Sequence, residues 1–427
     1  MEINAVILAA GKGTRMNSAT TPKVLHKIMG KTLLGYVLDS VKDFTKEEFV
    51  IVGHQAEKVE EFLDKNYTSA KAVLQTPQLG TGHAVSMVCP YLENFDGLVL
   101  ILCGDTPLIT RKSLEKFIEF HKKQNSDITV MSTMFENPTN YGRIVRDDDN
   151  SLKAIVEEKD ATAQQKLIKE VNAGIYCLNW AKIKPVFSQL TSNNAQGEYY
   201  LTDIISWGKT QKMNVNAFVL ENSDEIYGIN SRQNLATATK IMNDRTLDNL
   251  MTQGVTIVDP SSTWISSDTE IGQDTIIYPS TYIEGKNNIG KNCQIGPCAH
   301  LRGDVEIADN IKIGNFVEVK KSKISSNTNV GHLSYIGDST LGENVNIGAG
   351  TITANYNAIA KTKSETIIEN NVKIGSNTVL VAPVKVEEGA NTGAGSVITK
   401  NVSAWALALT RSPMRIIENW VKKQITK

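Results

Sequence analysis

Two rhythms of apolar and polar residues divide this chain near its middle. In the first half, short apolar runs at 5–10, 49–52, 72–74, 98–102, 128–134 and 174–178 alternate with stretches of helical spacing. Strands separated by helices predict an α/β domain with a mostly parallel, Rossmann-like sheet covered on both faces. Ligands of such sheets lie beyond the carboxyl ends of the strands, so residues just after each run are the first candidates for chemistry. From 231 to about 253 the apolar residues Leu235, Ala238, Met242, Leu247 and Leu250 fall three to five apart and Gly254 follows, which predicts one helix acting as a connector.

Beyond Gly254 the period changes to six. Aliphatic residues recur at Ile271, Ile277, Ile283, Ile289, Ile295, Leu301, Ile307, Ile313 and Val319, then Ile324, Val330 and Ile336, then Leu341 and Ile347. The register slips by one residue at two places and resumes at Ile368, Ile374, Leu380 and Val386, with Thr392 in phase before Ile398. Neither a helix nor a hairpin array has this period; it is that of a hexapeptide β-helix, in which three flat faces make one coil and the aliphatic residue points inward. Glycine follows many of these positions (Gly272, Gly290, Gly314, Gly331, Gly348 and Gly375 among them), and the pattern predicts that glycine takes the corners at positive φ. The boundaries expected are an α/β domain over 1–229, a linker helix over 230–253, a β-helix over 254–404 and a tail over 405–427.

With 45 Lys and Arg against 46 Asp and Glu, the net charge of −1 provides no long-range attraction for nucleic acid or an anionic membrane, so neither is an expected partner. Five cysteines with no CxxC suggest neither a disulfide framework nor a zinc site, and point to a reducing compartment. The amino terminus lacks a signal-peptide pattern and no run reaches the roughly 18 apolar residues of a spanning helix, so a soluble, cytoplasmic protein is expected.

Phosphate chemistry is suggested first by LAAGKGTRM at 8–16, where Leu8, Ala9, Ala10 and Gly11 leave the first strand and Lys12 and Arg15 supply charge. The segment lacks the GK[ST] ending of a Walker loop, which disfavours an ATPase. Lys23 follows Pro22, and Gln75 precedes a second glycine loop, QLGTGHA, whose amides suit a base edge. The apolar run at 98–102 leads through Cys103 and Gly104 to Asp105. A carboxylate there calls for solvent, a counter-charge or a divalent cation. Solvated loop cations and a helix N-cap are the alternative readings of these residues.

The β-helix carries side chains that a stalk does not need: Arg302, Lys320 and Lys321, His332, Tyr335, and a stretch NVNIGAGTITANY at 344–356 that breaks the hexad rhythm before a loop with Lys361 and Lys363. A trimerisation scaffold without chemistry is the bland alternative, with His332 a hydrogen-bonded surface residue.

Together, LAAGKGTRM, Pro22-Lys23, GTGHA and the strand-terminal CGD resemble the sugar-nucleotide pyrophosphorylases. With YGR at 141–143, VEEKDAT at 156–162, VNAGI at 171–175, NNAQGEYYLTD at 193–203, GIN ending at Asn230 and the hexapeptide half, the chain resembles the bacterial bifunctional GlmU family end to end. The resemblance implies a left-handed β-helix and a homotrimer. It also implies two reactions: acetyl transfer from acetyl-CoA to glucosamine 1-phosphate, then uridylyl transfer from UTP to N-acetylglucosamine 1-phosphate. Residue by residue, it gives Mg²⁺ to Asp105 and Asn230 and the triphosphate to the catalytic Arg15 and Lys23. It gives UTP and UDP-N-acetylglucosamine to Leu8, Ala9, Ala10, Gly11, Lys23, Gln75, Gly80, Thr81, Gly142, Glu157, Asn172 and Asn230. It gives glucosamine 1-phosphate to Arg302, Lys320, Tyr335, Asn346 and Lys361, with His332 as general base for the amine. Acetyl-CoA would meet Asn355, Tyr356, Ser376, Ala394 and Arg411, and Asn355 would orient His332 or the amine. The chain departs from the family pattern in having one or two coils fewer before Arg302, in Gly303-Asp304, where Pro-Gly is usual, and in Asn357-Ala358, where Asp-Gly is usual. The family's loop lysine therefore falls on Lys361 or Lys363. The competing readings are a uridylyltransferase whose shortened β-helix only trimerises, and a non-catalytic subunit such as those of the translation-initiation nucleotide-exchange factor.

Overall fold

A computed structural model describes residues 1–410 and 412–425. The chain forms two compact units, Met1–Ile241 and Met242–Lys427. Among the described residues, no helix is long and apolar enough to cross a membrane.

The first unit is built on strands β1 (Ile3–Leu8), β2 (Glu47–Val52), β3 (Lys71–Leu74), β4 (Leu98–Cys103), β5 (Ile128–Met134), β6 (Arg143–Arg146), β7 (Leu152–Val156), β8 (Glu170–Asn179) and β9 (Val215–Leu220). Their order is β9-β5-β8-β4-β1-β2-β3, with β6 pairing β8 and β7. All the neighbours along this order are parallel except β8, which runs antiparallel to both β4 and β5. Successive residues of β4 enter opposite cores, Leu100 and Leu102 on one face and Val99 and Ile101 on the other. A strand buried on both sides must be apolar at every position, which is why this run has no alternation.

Three differences from the expected elements have local causes. β1 ends at Leu8, and Ala9 and Ala10 turn away to form the loop. β8 starts at Glu170 because a register shift between Asn172 and Tyr176, around Gly174 at φ 71°, interrupts its pattern. β6, β7 and β9 escape detection because their apolar runs are short or interrupted: β6 has arginine at both ends, β7 carries Lys153 and β9 carries Asn216.

The helix Arg232–Thr252 passes from the first unit into the second. It is more than the expected connector, because Leu247 and Leu250 belong to the solenoid core. Asn243 donates to Thr263 O at 2.9 Å and accepts from Ile265 N at 2.9 Å. The end of this helix thereby covers the first coil, as solenoids require of their open ends.

Every aliphatic position of the six-residue series is buried in one continuous column, and Thr392 keeps its place within it at 5% exposure. Among the described residues, three parallel sheets of nine, eight and seven strands form the faces of the β-helix. Partners on the first face are 18 residues apart (Ile277, Ile295, Ile313), then 17 apart (Ile313, Val330, Ile347), then 27 apart (Ile347, Ile374). The two slips lie between Val319 and Ile324 and between Ile336 and Leu341, and the extra residues lie between Ala354 and Thr366. All three irregularities fall at one corner, between the second and third faces. The expected tail still contributes to the solenoid, since Leu407–Ala408 pairs with Asn391–Thr392.

The glycines that follow the aliphatic positions do not, with the exception of Gly296, take the positive-φ corners. Those corners fall on Asp274, Asn292, Asn310, Asn327, Asn344 and Asn371. Asn and Asp tolerate the left-handed region because their short side chains bond locally. Glycine is required for a different reason at Gly314, where a Cβ would overlap the carbonyl oxygen of Gly331 on the next coil.

Candidate active sites

In the first unit, four of the expected residues from three distant segments meet at the carboxyl ends of β1 and β4. Arg15 lies in the short turn Thr14–Met16, flanked by Gly13 at φ 59° and Asn17 at φ 47°. A Cβ on Gly13 would come within 2.8 Å of the Lys23 Cβ, so the loop packs directly on the Lys23 stem. Ile229 N donates to Asp105 O at 3.0 Å, which brings the GIN segment to the end of β4. Lys23 Nζ forms an ion pair with Asp105 and donates to Asn230 Oδ1 at 3.2 Å. Arg15 Nη2 donates to the same oxygen at 2.9 Å. Arg232, which the sequence reading missed, binds Met16 O through Nε at 3.2 Å and lies 3.4 Å from His26 Nδ1 through Nη1. It ties the Arg15 loop and the turn after Lys23 to the segment that carries Asn230; its signal was its place two residues after Asn230.

Among the described residues there is no group of three or more His, Cys, Asp or Glu that could hold a metal. A cation at this place has one carboxylate and one amide oxygen available from the protein. That donor set fits Mg²⁺, which usually takes one or two protein oxygens and completes its shell with phosphates and water. Both oxygens already face one positive charge, the Lys23 ammonium.

The base and sugar candidates line the neighbouring strand ends. Gln75 is 3% exposed, and its Nε2 lies 3.0 Å from Gly80 O and 3.1 Å from His83 Nδ1. Gly80 has φ 114°, and a Cβ there would stand 2.6 Å from Tyr199 O, so this loop is pressed against the 193–203 segment. Thr81 Oγ1 accepts from Leu201 N at 3.1 Å on the same seam. Gly53 packs on Ala10, whose carbonyl accepts from His54 N at 3.2 Å; this sets the 8–11 loop beside β2.

Gly142, Glu157 and Asn172 also come together. Asn172 N donates to Gly142 O at 2.9 Å, and a Cβ on Gly142 would lie 3.5 Å from Glu157 Oε2. Asn172 is fixed by donating to Tyr176 OH and accepting from Gly174 N, each at 2.9 Å. Burial raises the Glu157 carboxyl above the ordinary range, against the hydrogen bond from Thr202, and nearby Asp160, Asp203 and Glu198 push the same way.

In the second unit, the irregular corner carries a cluster of charges. Register stacks Glu284, Arg302, Lys320 and Gly337 in successive coils. Arg302 Nη1 pairs with Glu318 at 2.8 Å. Asn355 donates to Asp338 and lies 3.5 Å from Tyr335 OH, and Lys363 Nζ lies 3.6 Å from Asp338. The Lys363 charge, then burial, then Arg302 lower the Lys320 pKa below its usual value. Three cations held this close form a place for a dianion. The loop between Ala354 and Thr366 is a hairpin in which Tyr356 pairs with Lys363. Lys363 thus joins the cluster, while Lys361 stands exposed in the turn at φ 53°.

His332 lies at the other end of the second face, on the corner shared with the first. Its Nδ1 is 2.7 Å from Asn315 Oδ1. An amide oxygen only accepts, so Nδ1 carries the proton and Nε2 keeps the lone pair that a general base needs. Asn315, rather than Asn355, orients His332 within the chain. Ser376 and Ala394 occupy the same corner in later coils, linked by Gly395 N to Ser376 O at 2.8 Å. Asn346 sits on the first face, paired with Asn329 and Lys373. Among the described residues, no hydrogen bond or ion pair joins His332 or Asn346 to the Arg302 and Lys320 cluster. Arg411, expected to meet acetyl-CoA, lies outside the described residues.

The nucleotidyl transferase family profile matches residues 4–256, and the bacterial transferase hexapeptide (six repeats) profile matches 288–321 and 365–400. "Bifunctional protein GlmU" of Alkaliphilus metalliredigens (strain QYMF) is 42% identical over 458 aligned positions, covering 99% of each chain. The protein of the same name from Caldanaerobacter subterraneus subsp. tengcongensis is 44% identical over 460 positions, covering 100% of this chain and 99% of its own. That of Clostridioides difficile (strain 630) is 42% identical over 461 positions, with the same coverage. Each alignment is longer than the 427 residues of this chain, by 31 positions in the first case (458 less 427), so the relatives carry segments that this chain lacks.

Proposed function

This chain belongs to the bifunctional GlmU family, and from that premise we propose which of its residues carry each of the two reactions. It is a bifunctional transferase of UDP-N-acetylglucosamine synthesis. Acetyl-CoA acetylates glucosamine 1-phosphate, and UTP then uridylylates the N-acetylglucosamine 1-phosphate formed, releasing pyrophosphate.

For uridylyl transfer, the carrying observation is the convergence of Arg15, Lys23, Asp105 and Asn230. A phosphate oxygen of the sugar attacks the α-phosphorus of UTP in line, and the bond to the pyrophosphate oxygen breaks. Such a transfer needs little covalent help from the protein, so positioning and charge do most of the work. Lys23 and Arg15 neutralise charge on the triphosphate, Gln75, Gly80 and Thr81 hold the base, and Gly142, Glu157 and Asn172 hold the sugar. Asp105 and Asn230 would hold Mg²⁺, which supplies further charge neutralisation to the phosphates.

For acetyl transfer, Arg302, Lys320 and Lys363 bind the phosphate of glucosamine 1-phosphate, and Tyr335 lies beside its ring. His332 Nε2 takes the proton of the amine as nitrogen attacks the thioester carbonyl and the CoA thiolate leaves. Asn346 and the coenzyme-binding Ser376 and Ala394 complete the site from neighbouring copies of a homotrimer, and the coenzyme-binding Tyr356, paired with Lys363, lies on the side of the phosphate cluster. Two features support that assembly. Phe316 and Leu333 project at 59% and 60% exposure from the corner that carries His332. Both also hold positive φ, at 55° and 49°, a conformation that bulky residues avoid. The apolar side chains of Met414, Ile416, Ile417 and Trp420 are exposed as well.

Mass spectrometry of the products from glucosamine 1-phosphate, acetyl-CoA, UTP and Mg²⁺ tests the whole reading. UDP-N-acetylglucosamine is the expected product. Uridylyl transfer from supplied N-acetylglucosamine 1-phosphate with no release of free CoA under any condition would instead make the β-helix a scaffold.

A further inference from the structure

The Gln75 side chain is held by two acceptors, and one of them is a histidine nitrogen that no step above uses. Gly80 O, 3.0 Å from Nε2, can only accept a hydrogen bond. The amide nitrogen has no lone pair to offer, so His83 Nδ1 at 3.1 Å is an acceptor too, and the His83 proton sits on Nε2. Both hydrogens of the amide are therefore spent inside the protein. Among the described residues no group donates to Gln75 Oε1. His83 is in turn held by its place in the helix Thr81–Ser86, where its carbonyl accepts from Ser86 Oγ at 2.8 Å, and by the ring of Tyr199 at 6.4 Å between centroids.

We propose that His83 sets the base specificity of the nucleotide site by fixing which end of the Gln75 amide faces the base. The inference rests on the reading that Gln75 meets the base of UTP. With Nε2 tied to Gly80 O and His83 Nδ1, Gln75 presents an acceptor. Uracil offers a donor at N3–H and is matched; cytosine offers a lone pair at N3 and is repelled. To accept cytosine, the amide would have to flip, setting Oε1 against the Gly80 carbonyl and requiring the His83 proton to move from Nε2 to Nδ1. A side chain with no acceptor at this place has no tautomer to change, which removes the His83 share of that penalty. His83 is thus a positioning residue that acts through Gln75 and touches neither the phosphates nor the reacting atoms.

The test compares kcat/KM for UTP and for CTP in the full chain, with the equilibrium affinities of both nucleotides measured by calorimetry on the same samples. His83→Phe keeps a ring beside Tyr199 but offers no acceptor, and His83→Leu does the same without the ring. Each is expected to lower the UTP:CTP ratio by about tenfold or more, since a site built to match a polar group discriminates through the partners it leaves unpaired. His83→Asn, whose Oδ1 falls near the position of Nδ1, is expected to restore most of the ratio, which a merely structural role would not require. A wild-type ratio in both acceptor-free variants overturns the proposal, whether read from turnover or from binding. Gln75→Ala separates the two levels of the argument. If it leaves the ratio unchanged, the base does not meet Gln75 and the proposal falls with that reading. If it abolishes the ratio while both acceptor-free variants keep it, only the role of His83 is wrong.

Discussion

Arg15 Nη2 donates to Asn230 Oδ1 at 2.9 Å although 215 positions separate the two residues in the chain. The same oxygen accepts from Lys23, which is paired with Asp105, so the two cations proposed to bind phosphate and the two candidate metal ligands form one network. Perturbing any member changes the charge seen by the others.

Asp105→Asn removes the only formal negative charge of that network and leaves Lys23 and Arg15 uncompensated. Pyrophosphate release is expected to fall by about 100-fold or more, the scale on which such charge-stabilising groups act. Release of CoA from acetyl-CoA and glucosamine 1-phosphate, assayed on the same preparation, should remain at the wild-type rate. Equal loss of both activities would argue against two independent sites.

His332→Ala is expected to do the reverse, with acetyl transfer falling by about 10²- to 10⁴-fold, the usual contribution of a general base, and pyrophosphate release unchanged. Asn315→Leu leaves the imidazole in place but frees its tautomer and orientation. It should lower kcat for acetyl transfer without a matching rise in KM for the sugar phosphate, and a wild-type kcat would remove Asn315 from the mechanism.

Lys363 and Lys361 are separated by a single residue and are expected to differ in effect. Lys363 lowers the Lys320 pKa and stands 3.6 Å from Asp338, so Lys363→Met should raise KM for glucosamine 1-phosphate by roughly tenfold, as expected for a charge-assisted phosphate contact. Lys361→Met, in the exposed turn, should change KM little. Steady-state kinetics of CoA release decides between them.

His121 is buried at 2% exposure beside Thr129, and burial lowers its pKa from 6.5 to about 4. The unfolded state therefore takes up the proton first as the pH falls. The stability that His121 contributes is complete above pH 6.5, is lost as pH drops from there towards 4, and levels off below. The slope is at most about 1.4 kcal/mol per pH unit. Urea denaturation of wild type and His121→Gln, followed by tryptophan fluorescence across that window, should show the slope reduced in the variant. Identical slopes would show that His121 does not titrate on unfolding.

Gly314→Ala puts a methyl group where the carbonyl of Gly331 stands on the next coil. Overpacking of this kind costs about 1–3 kcal/mol. The β-helix should therefore unfold at lower denaturant and acetyl transfer should be lost first on heating, with uridylyl transfer outlasting it. Asn310, at the positive-φ corner, should by contrast accept Gly without loss.

The amino-acid sequence by itself determined the architecture of the second half, because a solenoid core is written locally: each inward residue packs on those one coil away, and the six-residue period states the contact directly. It also identified the strand ends that bear Arg15, Lys23 and Asp105, since a strand buried on both faces reads as an unbroken apolar run. What it could not decide were matters fixed across distance or by backbone angle. Glycine in a hexad reads the same whether it turns a corner or makes room for the next coil, and only stacking assigned Gly314 the second role. Lys361 and Lys363 are equivalent along the chain until the hairpin pairs Tyr356 with Lys363 and brings that lysine to Lys320. The partners of His332 and Gln75, Asn315 and His83, were likewise chosen by coil register and loop packing. Hydrogen bonds of this kind depend on where backbones come to lie, and side-chain identity alone does not carry that information.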